Sequence, residues 1–217
     1  MIALAGAVCV SVSIEGCSDS ESASPAASFA STPKDCAGLM AAVSQPLAQF
    51  AGQLFDSAGT FSKVDISDVP AAPGQETLMC SARYGLETFM SPAANSGQPR
   101  LRSVSIRFNV DTSADAEAAI TRFFDSSQKS FNGSTTKLTA LGSDAYAGTR
   151  VSGRVAESVT EFRVGNLAVD VITRGENYVR AGDSEGTSDS PELTTALRSG
   201  SEAIARAVNA NLTSLMP

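Results

Sequence analysis

The feature that most restricts the fold of this chain is Val164-Gly165-Asn166-Leu167, a two-residue turn signal set between two alternating segments. Pairing 164 with 167 puts 162 opposite 169 and 160 opposite 171. Phe162, Val164, Leu167, Val169 and Val171 then share one face, as a core face requires. On the other face Val159 meets Ile172 and Glu157 meets Arg174, a partly apolar surface, so the register predicts a sheet covered on both sides. One pairing conflicts with it: Glu161 falls opposite Asp170, and like charges in that position repel. Either Arg163 screens this pair or a bulge shifts the register.

The rest of the chain supplies partners for such a hairpin. Residues 77–87 alternate through Leu78, Cys80, Ala82, Tyr84 and Leu86, and residues 101–110 through Val104, Ile106, Phe108 and Val110. Leu141-Gly142-Ser143-Asp144-Ala145-Tyr146 reads as a turn entering a strand, and Val151-Ser152-Gly153-Arg154 as a second turn. A short strand is expected at 63–66 within a long Gly/Pro-marked loop. Helical spacing appears three times. Leu39, Val43, Leu47, Phe50 and Leu54 form one stripe, capped by Asp35 and interrupted by Pro46, which predicts a kink or a break. Ala116, Ile120, Phe123, Phe124 and Phe131 form a second over 112–131, with Thr112 or Ser113 as cap and Asn132-Gly133 as stop. Leu193, Leu197, Ile204, Val208, Leu212 and Leu215 form a third, with Pro191 at its first position after Ser190. The order predicts an α+β domain: a single antiparallel β-sheet flanked by helices.

The N-terminal 34 residues are not fold material. Residues 2–14 are an uncharged apolar run, too short to span a bilayer as a helix and of the length of a signal-peptide core. Ser13-Ile14-Glu15-Gly16-Cys17 resembles a bacterial lipobox, whose Cys becomes the acylated first residue of the mature protein. Glu15 departs from that pattern, which implies slow processing. No Lys or Arg precedes the run, and the reading expects a basic segment upstream of Met1. Residues 18–34 are dominated by Ser, Ala and Pro and read as a flexible tether. The expected organisation is therefore a lipoprotein-type signal peptide over 1–16, lipidated Cys17 with its tether over 17–34, and one globular domain over 35–217. The alternatives are a plain secretory signal and a buried N-terminal helix. Two or three acyl chains, at about 0.8 kcal/mol per buried CH₂, make a stable anchor.

The chain holds four Cys. With Cys9 in the cleaved segment and Cys17 acylated, Cys36 and Cys80 remain, in a domain whose compartment preserves disulfides. Cys80 shares the apolar phase of its strand, so a bridge to Cys36 pins the first helix onto that face. Closing a loop of this length contributes about 4 kcal/mol. The alternative is two free buried thiols.

These features together, from the lipobox-like segment and tether to Cys36 on a helix, Cys80 on a strand and the turn at 141–146, resemble small cell-envelope lipoproteins of actinobacteria. Many of these belong to families of unknown function, and some have a PsbP-like sandwich of antiparallel sheet and helices. The resemblance implies export, a disulfide and a binding or accessory role, at the extracytoplasmic face of the cell membrane. It carries over no catalytic residue.

Composition narrows the chemistry. The chain has no His and a net charge of −7. Imidazole acid–base chemistry, Ser-His-Asp and Cys-His catalysis and His-ligated metals are excluded, and the acidic balance argues against nucleic acid as partner. Gly182-Asp183-Ser184-Glu185-Gly186 matches a nucleophile-elbow pattern, yet it has no base and polar flanks. Asp183, Glu185 and Asp189 do not fit a calcium loop. No catalytic residue, metal or cofactor is assigned. Arg83, Arg100, Arg102 and Arg107 lie on or near the early strands and suit either an anionic headgroup or polymer or local ion pairs. Phe123, Phe124 and Phe162 mark where a small apolar ligand would enter between the second helix and the sheet. The leading expectation is a membrane-anchored, non-catalytic domain that binds a small ligand or an envelope protein. The competing ones are an Asp/Glu-dependent cell-wall hydrolase, which needs two carboxylates about 5–9.5 Å apart in a cleft, and a structural interaction module with a large exposed apolar patch.

Overall fold

A computed structural model describes residues 28–57, 62–63, 73–85, 97–131, 134–152, 155–179, 186–187 and 190–217. Cys17, Ser184 and its acidic neighbours, Ile66, Leu86, Asn132-Gly133 and Gly153-Arg154 lie outside the described residues.

The long hairpin forms in the expected register. β6 (Val155–Val164) and β7 (Leu167–Tyr178) pair with 164 opposite 167, 162 opposite 169 and 161 opposite 170. Gly165 takes the first turn position at φ 55°, which lets a two-residue loop follow the right-handed twist of the strands. β5 (Asp144–Ser152) extends the meander on one side. On the other, β7 pairs with β3 (Pro99–Asp111), which pairs with β2 (Gln75–Gly85). Short strands β1 (Ser62–Lys63) and β4 (Thr135–Lys137) close the two edges, and β8 (Gly186–Thr187) adds to the end of β7. All pairs are antiparallel, in the order β1-β2-β3-β7-β6-β5-β4.

Helices cover both faces. α1 (Cys36–Ala51), the 3₁₀ turn Gly52–Ser57, α3 (Pro191–Ala210) and α4 (Leu212–Leu215) lie on the first face. There Leu39, Leu47, Leu197 and Ile204 meet Ile106, Phe108, Phe162 and Leu167, all fully buried. Burying each such side chain contributes about 1.5–3 kcal/mol. The caps are local. The Asp35 carboxylate accepts from Ala37 N and Gly38 N at 3.0 Å, and Ser190 Oγ accepts from Leu193 N at 3.1 Å ahead of Pro191. Pro46 does not divide α1 into two helices; it stays within one helical span that tightens into the 3₁₀ turn at Gly52.

Cys36 and Cys80 are bridged, with Cα atoms 5.6 Å apart. The bond ties the first residue of α1 to the core face of β2, where Cys80 sits opposite Ile106.

α2 (Ala116–Lys129) is, among the described residues, the one helix on the second face. It starts later than the 112–131 expectation because Asp111 turns the chain first: its carboxylate accepts from Ser113 N at 2.8 Å. Asp115 then stands at the N-cap without a side-chain capping bond. Ile120 and Phe124 are its buried residues, and Phe131 packs just beyond its end.

Candidate functional site

The second face is where polar chemistry gathers. Sheet pairing lines up Arg107, Asp170, Glu161 and Tyr146 as successive cross-strand neighbours on β3, β7, β6 and β5. Glu161 and Asp170 are the like-charge pair that the hairpin register exposed. No bulge relieves it, and Arg163 does not do so: Arg107 from β3 does, donating from Nε and a terminal nitrogen to Asp170 Oδ2. Tyr146 Oη donates to Glu161 Oε2 and lies 2.9 Å from Ser127 Oγ of α2.

Both carboxyls are almost completely buried, at 0% and 1% exposure. Burial first, and the neighbouring Asp170 charge second, push Glu161 well above the ordinary carboxylate range. Burial raises Asp170 as well, while the Arg107 guanidinium opposes the shift. Glu161 Oε1 and Asp170 Oδ1 have no hydrogen-bond partner as they stand, and the two carboxyls interact directly, so one proton kept between them would satisfy both. Asp170 faces a cation and Glu161 a neutral hydroxyl, which puts the charge on Asp170 and the proton on Glu161. Tyr146 is itself raised by burial and by Glu161.

α2 seals this row. Phe124 meets Tyr146 edge-on at 5.1 Å, Phe131 does so at 6.0 Å, and the Arg107 guanidinium lies 5.6 Å from the Phe123 ring. The arrangement can store a proton, but it offers no path to a polymer substrate.

Further along the same face, one buried carboxylate serves two arginines. Arg150 Nε donates to Glu157 Oε1 at 2.7 Å, and Arg174 Nε donates to Glu157 Oε2 at 2.5 Å. The Glu157 side chain is 6% exposed, whereas Arg150 and Arg174 are 48% and 38% exposed. Arg150 also lies 5.1 Å from the Phe131 ring.

At the opposite strand ends the N-terminal segment is clasped at Phe29. Phe29 N donates to Asn166 Oδ1 at 2.8 Å, and Asn166 Nδ2 donates to Phe29 O at 2.9 Å. An open groove of about 640 Å³ lies beside this clasp, lined by residues 28–30, the start of α2 and the Gly165-Asn166 turn.

The three expected ligand-binding phenylalanines do not meet. Phe124 is buried under α2 and Phe162 is buried on the first face, below α1 and α3. Strand alternation is the reason, because α2 packs on the odd-numbered side of β6, beside Val159 and Glu161. Phe123 is half-buried and lines a cavity of only about 70 Å³ with Ile120 and Asn109. Of the four early arginines, Arg83 is exposed and Arg100 pairs with Glu176. Arg107 holds Asp170. Arg102 is buried against Leu101 O, Glu176 O and Asn177 Oδ1, and burial pulls its pKa down to about 10. Sequence reasoning did not single out Arg150, Glu157 and Arg174 as a unit, although the hairpin register already placed Glu157 against Arg174.

Among the described residues no group of His, Cys, Asp and Glu is arranged to hold a metal, and no helix is long and apolar enough to cross a membrane. Comparison with protein-family models, curated proteins and solved structures found no match to this chain.

Proposed function

We propose that this is a lipid-anchored extracytoplasmic protein whose α+β domain binds a ligand or partner and performs no catalysis. The observation that carries the reading is the Cys36–Cys80 bridge. Disulfides persist in oxidising compartments, so the bridge supports export, and export makes the apolar run at 2–14 a signal segment. Cys17 then stands where the acylated residue of a lipoprotein stands. The clasp of Phe29 by Asn166 supports a tether that leaves the domain beside the β6–β7 turn.

Binding is favoured over hydrolysis by the burial of the facing Glu161 and Asp170, which no glycan chain reaches. It is favoured over a purely apolar docking module by the surface, because Val179 is the single exposed large hydrophobic among the described residues. The test is fractionation of cells expressing the full chain and its Cys17→Ala variant. The native chain is expected in the membrane fraction and the variant released from it. Equal partitioning of the two would refute the anchor.

A further inference from the structure

We infer that the Arg83–Arg174–Arg150 row of the sheet's second face is a binding site for a linear polyanion bearing phosphate groups. This rests on the reading of the protein as an extracytoplasmic binding domain and names its ligand chemistry.

Arg83, Ser103, Arg174, Glu157 and Arg150 are successive cross-strand neighbours on β2, β3, β7, β6 and β5. They therefore form one straight row across four strand spacings, about 20 Å long. Three of the five are arginines, and only one carboxylate lies among them. That carboxylate is buried and acts as a support: it grips Arg150 and Arg174 through Nε and a terminal nitrogen each, leaving their remaining donors at the exposed edge. Guanidiniums held in this way lose little freedom on binding, and their forks match phosphate oxygens. Arg83 is exposed at the far end of the row. The paired Arg100 and Glu176 stand beside the row and leave its charge unchanged. In a chain of net charge −7, this is a local excess of positive charge on an otherwise acidic protein.

A line of cations suits a chain of anions better than a single ion. The position separates a polymer from a membrane surface. The N-terminal segment is clasped at Asn166, the residue before β7, whereas Arg174 lies eight residues further along the chain, about 26 Å away. The row thus lies towards the other end of the strands from the point where the N-terminal segment is clasped.

The test is binding of long-chain inorganic polyphosphate to the purified full chain in detergent, read by calorimetry at two salt concentrations. Saturable binding is expected that weakens as salt rises. Arg83→Glu is expected to weaken it about tenfold and Arg150→Gln about threefold. Arg122→Glu, on the outer side of α2 and 66% exposed, is expected to leave it unchanged. Absence of polyphosphate binding, equal binding by Arg83→Glu, or binding confined to phosphatidylglycerol vesicles would overturn the proposal. Circular dichroism of each variant confirms the fold. Because the measurement does not depend on acylation of Cys17, its failure leaves the anchor standing, and failure of the anchor leaves this result standing.

Discussion

Replacing Glu161 with Gln isolates the buried proton. The amide is isosteric with a protonated carboxyl, keeps an oxygen for Tyr146 and offers its NH₂ to Asp170. In the folded protein Glu161 is raised to about 9, from an ordinary value of 4.5. A carboxyl raised by folding is protonated in the native state across this window, while the unfolded chain has released its proton. Stability is therefore fully present below about pH 4.5 and is lost as pH rises towards 9, at up to about 1.4 kcal/mol per pH unit. Glu161→Gln removes that loss. Between pH 6 and 8 the variant should gain up to about 3 kcal/mol relative to the native protein. Urea unfolding of both proteins at pH 5, 6, 7 and 8 reads the difference directly. A stability difference that does not change with pH would mean that Glu161 is ionised in both states, and the shared-proton account would fail.

Other perturbations separate the supports of the fold. Asp170→Asn leaves Arg107 without its carboxylate and should cost about 2 kcal/mol at pH 7, measured by the urea midpoint; a neutral effect would show the pair to be dispensable. Cys36→Ala with Cys80→Ala opens a loop with a sequence separation of 44. It should cost about 4 kcal/mol in the chain-entropy description, and an unchanged midpoint would contradict it. Gly142 sits at φ 59°, and an added Cβ would lie 2.4 Å from Arg163 O. Gly142→Ala should therefore cost more than about 1 kcal/mol, read by thermal melting. Asn166→Ala removes the clasp on Phe29 and should speed proteolytic cleavage near residues 28–35 without lowering the melting temperature by more than a few degrees. Unchanged cleavage would show that the clasp does not hold this segment.

Much of the sheet was readable because it is local. The β6–β7 register follows from one turn and the alternation on either side of it, and the Glu161–Asp170 conflict was already visible there. Its resolution was not. Arg107 lies 63 residues from Asp170 in sequence, and only the adjacency of β3 and β7 brings them together. The same limit misplaced Phe162: alternation shows which residues share a face, but not which helix covers that face. Arg102 and Arg107 were candidates for an anionic ligand or local ion pairs, yet Arg107 is committed to Asp170 under α2 and Arg102, in phase with Val104 and Ile106, is buried against Leu101, Glu176 and Asn177. The disulfide was legible because parity and phase agreed on the same two cysteines. The Arg150–Glu157–Arg174 unit needed a third strand, β5, whose pairing partner cannot be read from the hairpin alone.

The most direct test of the central claim is the intact mass of the native protein extracted from membranes without reductant. The account predicts a chain that begins at Cys17, carries added acyl mass and shows the proton deficit of one closed Cys36–Cys80 bridge. A soluble chain that begins elsewhere with an unmodified Cys17 would contradict it.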